Sequence, residues 1–138
     1  LGQEDKSNFD SALEEYHKAI IKFVNGDPKQ LKEISSHTDD VTLFGGFGGY
    51  AHGWDSVERR YDWASSRYRA GEVRFERIFR FETDELGCCV ELEHQEVRLE
   101  SSSENASRIL RATSIFRKEG DGRWKLVHRH AEEDSAKK

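Results

Sequence analysis

The chain has 138 residues, one domain's worth, with 22 Lys and Arg against 27 Asp and Glu and a net charge of −5. That length can bury a core without metal or disulfide staples, and interspersed charges of net negative sign exclude the basic stripe that nucleic acid requires. Three Trp, four Tyr and eight Phe can fill a core that a hydrophobic fraction of 35% would otherwise leave thin, and no apolar run is long enough to span a bilayer.

The first predicted helix runs from Ser7 to Asn25, where Phe9, Leu13, Tyr16, Ile20 and Phe23 or Val24 recur at helical spacing. Asn25-Gly26 stops it, because Gly tolerates the left-handed backbone that ends helices. Asp27-Pro28-Lys29-Gln30 then reads as an N-cap, a Pro at the first helical position and a capping-box partner, opening a short helix that ends near His37. A brief strand, Val41–Phe44, leads into the glycine-rich segment from Gly45 to Gly53, which lacks the Lys-Ser/Thr of a phosphate loop. A third helix is capped at Asp55-Ser56-Val57-Glu58, carries Trp54, Val57, Tyr61, Ala64 and Tyr68 on one stripe, and closes at Gly71.

The second half is all strand. Over 72–83, alternation puts Val73, Phe75, Phe79 and Phe81 on one face. Over 86–100 it puts Cys88, Val90, Leu92 and His94 inward and Glu91, Glu93 and Gln95 outward. Val97 and Leu99 break that parity, so a β-bulge is expected near His94–Glu96. A polar loop over 101–107 precedes a strand at 108–117, and Gly120-Asp121-Gly122 turns into a last strand at 123–131. Helices followed by long antiparallel strands predict an α+β domain over 7–131, with polar tails at 1–6 and 132–138. Cys88 and Cys89 read as one buried and one surface thiol. They fit a reducing compartment, and with no export-signal pattern a cytoplasmic location is expected.

Five segments in order sharpen the fold: Phe23-Val24-Asn25-Gly26-Asp27-Pro28, Asp39-Asp40-Val41-Thr42, Gly53-Trp54-Asp55, Arg111-Ala112-Thr113, and Asp121 through His130. Together they resemble the nuclear transport factor 2-like superfamily of SnoaL-like and ketosteroid-isomerase-like domains. The final strand is also similar to the association (hub) domain of calcium/calmodulin-dependent protein kinase II. The resemblance implies a cystatin-like cone, three N-terminal helices packed on a curved, mostly antiparallel sheet, with a conical pocket and a homodimer formed through the sheet. It does not imply one reaction, because the superfamily includes isomerases, dehydratases and hydrolases beside assembly modules.

Candidate site residues follow from parity and from the resemblance. An inward His94 is a possible acid–base or a core histidine bonded to a neighbour. Arg111 and Thr113 lie on the face that meets the pocket in the hub-like alignment, where Arg111 either grips a carboxylate or pairs with an inward acid such as Glu96. The resemblance makes Tyr16, on the inward stripe, available as the Tyr of a ketosteroid-isomerase oxyanion hole, but no inward Asp accompanies it on the sheet, a departure from steroid isomerase chemistry; its other reading is core packing with a hydrogen-bonded hydroxyl. Phe44, Phe47, Tyr50 and Trp54 are candidate lid aromatics, and Tyr61 a candidate wall residue. His128 and His130 are a possible ligand pair, but no third nitrogen or Cys pair completes a metal site, so no metal or cofactor is expected. Either both histidines face the pocket with Trp124, or Arg129 does and they face a dimer partner. The expected function is binding of a small polar or anionic organic molecule, with a cofactor-independent isomerase, lyase or hydrolase as its catalytic form. The alternative is a non-catalytic oligomerisation module.

Overall fold

The computed structural model describes residues 8–135. Ser7, the rest of the N-terminal tail and residues 136–138 lie outside the described residues. The first helix, α1 (Asn8–Phe23), buries Phe9, Leu13, Tyr16, Ala19, Ile20 and Phe23, the expected stripe. Gly26 turns the chain with φ +92. α2 (Lys29–Ile34) follows. Asp27 Oδ1 accepts a hydrogen bond from the Lys29 backbone N–H at 3.0 Å, but the Gln30 side chain reaches Glu15 instead, so the expected capping box is not closed.

β1 (Thr42–Phe44) and β2 (Tyr50–His52) form an antiparallel hairpin around the glycine-rich loop; β2 was not expected. α3 (Trp54–Ser66) begins after Gly53 without a side-chain cap and ends five residues before Gly71, which lies instead within β3 (Tyr68–Glu82). β4 (Leu86–Leu99), β5 (Asn105–Lys118) and β6 (Trp124–Glu133) complete the strands, and β6 takes in Glu132 and Glu133 from the expected tail. β3 to β6 form an antiparallel meander, β1 adds parallel to β6, and the order is β2-β1-β6-β5-β4-β3. This is the expected α+β architecture, three helices against one curved sheet.

The faces of this sheet differ from the expectation. On β4 the buried residues are Gly87, Cys89, Glu91, Glu93, Gln95 and Val97, alternating with partly exposed Cys88, Val90, Leu92 and His94. The β4 ladders run without a register shift at His94–Glu96, so the parity of Val97 holds along the whole strand. The shifts lie elsewhere: one between Tyr68 and Ala70 at the start of β3, and two that turn faces, between Arg77 and Phe79 on β3 and between Ile115 and Phe116 on β5 opposite β6. The first of these two rotates Phe79 and Phe81 outward, where both are more than half exposed, and lets Arg80 reach Asp10 of α1 at 2.9 Å. The second leaves Val127 without a Cα partner, so Trp124 and Leu126 point inward and so do Arg129 and Ala131.

α1 decides which face is the interior. It lies so close to β4 that a Cβ on Gly87 would meet the Phe9 ring at 2.4 Å. Phe9 packs on Trp124 and Phe116 with ring centroids 5.0 and 5.5 Å apart, and Tyr16 packs edge-on to Phe116 at 5.4 Å. Among the described residues no helix is long and apolar enough to cross a membrane.

Candidate functional site

The interior of the cone is polar at its centre. Arg129, on β6, sends two parallel hydrogen bonds to Glu93 of β4, Nη1 to Oε2 at 2.7 Å and Nη2 to Oε1 at 3.1 Å. Nη1 also donates to the Tyr16 hydroxyl oxygen at 2.5 Å, which accepts a second bond from Ser114 Oγ at 2.5 Å. From Glu93 the chain continues through Gln95 Nε2 at 3.3 Å to Arg108 of β5, whose Nε donates to Gln95 Oε1 at 2.9 Å and whose Nη2 donates to the Tyr68 hydroxyl. Tyr16, Glu93, Gln95, Ser114 and Arg129 are all buried.

Burial sets the protonation of these groups. It pushes the Tyr16 hydroxyl well above its ordinary value, only partly offset by Arg129, so the phenol keeps its proton. Tyr61 and Tyr68 are raised by the same cause. Burial alone would drive Arg129 toward neutrality, but the Glu93 carboxylate outweighs it and holds the guanidinium charged.

A second polar cluster lies on the same face. Glu91 accepts from His17 Nε2 at 2.7 and 2.9 Å and from Arg77 Nε at 3.2 Å, while the His17 ring stacks on Phe75 at 3.8 Å. Burial would raise the Glu91 carboxyl, but the His17 contact prevails and holds it below the usual range. Burial, reinforced by Glu91, pushes the adjacent Cys89 thiol up to about 12, which leaves it unreactive at neutral pH.

Above Arg129 and Gln95 lies a cavity of about 30 Å³, walled by Ile20, Phe23, Leu43, Tyr61, Tyr68 and Leu110 and covered by Phe47 of the glycine-rich loop. Space of that size holds about one water and no organic ligand.

The expected site residues divide sharply. Tyr16, Tyr61 and Arg129 converge on the interior. His94 does not: it lies on the outer face, with Nε2 2.8 Å from Glu76. Arg111 and Thr113 are also outward, and Arg111 meets Glu132 at 3.4 Å rather than Glu96, which accepts from Ser107. Their strands alternate as expected, but the apolar residues that mark the expected inner face belong to the outer one. His128 and His130 face outward with Phe44, and Thr42 Oγ1 lies 2.7 Å from His128 Nδ1. Burial and the neighbouring His130 lower the His128 value. The outcome combines the two expected registers: Trp124 points inward as in the first, while Arg129 is inward and the histidines outward as in the second. Tyr50 is exposed, and Trp54 stacks on His37 at 4.0 Å; neither walls the cavity. Among the described residues no three His, Cys, Asp or Glu side chains converge as metal ligands. Glu93, Gln95, Arg108, Ser114 and Tyr68 were not anticipated. The signal for the β4 members was the parity of Val97, which the odd-numbered residues share.

The SnoaL-like domain model matches residues 10–131, nearly the whole chain. The chain belongs to the SnoaL-like domain family. No curated protein matches it in sequence. Among solved structures it is similar to a ketosteroid isomerase-like protein from Erwinia carotovora atroseptica, at 15% identity over 98% of this chain and all of that one, with a TM-score of 0.80. It is similar to a nuclear transport factor 2-like superfamily protein from Salmonella enterica serovar Typhimurium, at 12% identity, 94% and 96% coverage and a TM-score of 0.76. A protein from Thiobacillus denitrificans, provisionally assigned as a calcium/calmodulin-dependent protein kinase type II association domain, aligns at 15% identity, 91% and 94% coverage and a TM-score of 0.74. At these identities the likeness is one of fold: this SnoaL-like domain has the nuclear transport factor 2-like, cystatin-like architecture.

Proposed function

We propose that this SnoaL-like domain binds a small polar or anionic organic molecule in its cone, with the head group among Arg129, Gln95, Arg108 and Tyr68. The observation that carries the reading is the buried chain from Ser114 through Tyr16, Arg129, Glu93 and Gln95 to Arg108 and Tyr68. A buried ion pair is seldom more stable than apolar side chains of the same volume, so folding alone gives no reason to place one here. Perturbed ionisable groups beside a cavity are a mark of a site. Tyr16 and Arg129 could also stabilise an oxyanion, which is the form that isomerase or lyase chemistry would take in this cone. Proton transfer by Glu93 would first require substrate to replace Arg129 on its oxygens.

The test is titration with short carboxylic acids, aliphatic and aromatic, followed through the indole N–H signals of the protein's NMR spectrum. Saturable shifts are expected, and Arg108→Gln should weaken binding by about tenfold, the loss of one charge-assisted contact worth roughly 1.4 kcal/mol. Absence of saturable binding by every acid would overturn the reading.

Self-association is a second reading, favoured by the outer face of the sheet. Ile78, Phe79, Phe81 and Leu86 are each about half exposed there, beside Val90, Leu92 and Ile115. An apolar row on the open side of a sheet supports reading it as an interaction surface, and the two readings are compatible because they use opposite faces.

A further inference from the structure

We infer that the ligand of this cone is a flat ring bearing an acid group, and that Phe47 holds the ring's place in the free protein. The inference rests on the binding reading above and specifies its ligand. The Phe47 ring sits in a box made by Tyr68 and Trp63, with ring centroids at 5.3 and 5.8 Å, and by the guanidinium groups of Arg67 and Arg108 at 4.9 and 5.1 Å. Aromatic edges and guanidinium planes are the partners that suit a planar π-system.

The mouth is cationic although the chain is anionic. Among the described residues Arg108 and Arg60 make no ion pair: Arg108 donates to Gln95 and Tyr68, and Arg60 donates to the Gly48 carbonyl at 2.5 Å. Arg67 pairs with Glu100 through Nη1 at 3.5 Å, but its Nε is buried without an acceptor. An acid group on a ring in the Phe47 position would lie among these donors, and the charge-assisted bonds it made would satisfy them.

Phe47 also sits on the glycine-rich loop that lines the cavity. It is flanked by Gly45, Gly46, Gly48 and Gly49, of which Gly48 and Gly49 have φ of +88 and +73. Besides its packing, the loop tip is held by the Gly48 N–H to Gly45 carbonyl bond at 2.9 Å and by the Arg60 bond. The present cavity of about 30 Å³ is far below the roughly 150 Å³ that accommodates benzene. A ring therefore enters only as Phe47 swings out, and the two compete for one box. The apparent affinity is then the intrinsic affinity multiplied by the open fraction.

The experiment measures binding of phenylacetate, hexanoate and benzyl alcohol to the wild-type chain, Phe47→Ala, Phe47→Leu and Arg108→Gln, each first checked for a cooperative melt. A minor open state populated at or below about 10% predicts that Phe47→Ala binds phenylacetate at least about tenfold more tightly than wild type, with Phe47→Leu between them. Hexanoate, lacking the ring, and benzyl alcohol, lacking the charge, should bind Phe47→Ala more weakly, and Arg108→Gln should erase the preference for phenylacetate over benzyl alcohol. Hexanoate binding as well as phenylacetate, or no gain from either Phe47 variant, overturns the ring inference and leaves the binding reading standing. No binding of either acid to any of the four proteins overturns both.

Discussion

Arg129 is buried with its guanidinium shared between Glu93 and Tyr16, and the Glu93 carboxylate holds it charged against its burial. The consequence for substitution is asymmetric. Glu93→Gln keeps the shape but leaves a buried cation without its counter-charge, and the loss of stability should be about 3–5 kcal/mol, read from urea unfolding. Replacing both partners by apolar residues, Glu93→Leu with Arg129→Met, removes the charge together with its partner and should lose less than Glu93→Gln alone. A double variant as unstable as the single one would mean that the pair contributes through shape rather than charge. Of this constellation, Tyr16 and Arg129 were legible from helical spacing and from one of two strand registers. Glu93 and Gln95 were not, because charged residues alternating with Val90 and Leu92 read as a solvated face. Their burial depends on cations delivered by β5 and β6, which no local pattern in β4 records.

At the scale of elements, glycine and the bulges do the placing. α1 can lie on β4 only because Gly87 has no side chain: a Cβ there would stand 2.4 Å from two carbons of the fully buried Phe9 ring. Gly87→Ala should therefore cost about 1–3 kcal/mol, the range for overpacking a filled core, and lower the thermal midpoint accordingly. A melt unchanged from wild type would show that Phe9 relocates freely. The bulge opposite Ile115–Phe116 matters in another way. Trp124 and Arg129 are five residues apart, an odd number, and share a face only because Val127 is left over between the paired positions. Without it, an inward Trp124 would send Arg129 outward and bring His128 and His130 into the cone. Apart from β2, the element types, their order and the amphipathic stripe of α1 were readable from spacing. The bulge positions were not, since an extra residue leaves only a phase change in the alternation, which a fixed parity reads as noise.

For the whole molecule, the concave side of the sheet packs the apolar core around its buried polar cluster, and the convex side carries the apolar row of Ile78, Phe79, Phe81 and Leu86 among charged residues such as Glu76, His94 and Arg111. Self-association through the convex side makes a direct prediction. Light scattering at micromolar concentration should report a dimer for the wild-type chain and a monomer for Phe81→Glu, with the two melting similarly once monomeric. A wild-type monomer under those conditions removes the assembly reading without touching the cone. His128 and His130 would lie at or beside that interface, while the proposed ligand site would open at the glycine-rich loop on the other side.

What the sequence by itself determined is the α+β class, the three helices, the long meander and the SnoaL-like family, because spacing, turn residues and motif order are local properties that survive in one dimension. The tertiary structure alone decided which side of each strand is inside. Period-2 alternation defines two faces without saying which is covered, and here the usual guide, that apolar residues face inward, points the wrong way on β4. The decision came from α1 seating Phe9 against Gly87, and from Arg129 and Arg108 crossing from neighbouring strands to neutralise and bond what would otherwise be buried, unpaired acceptors.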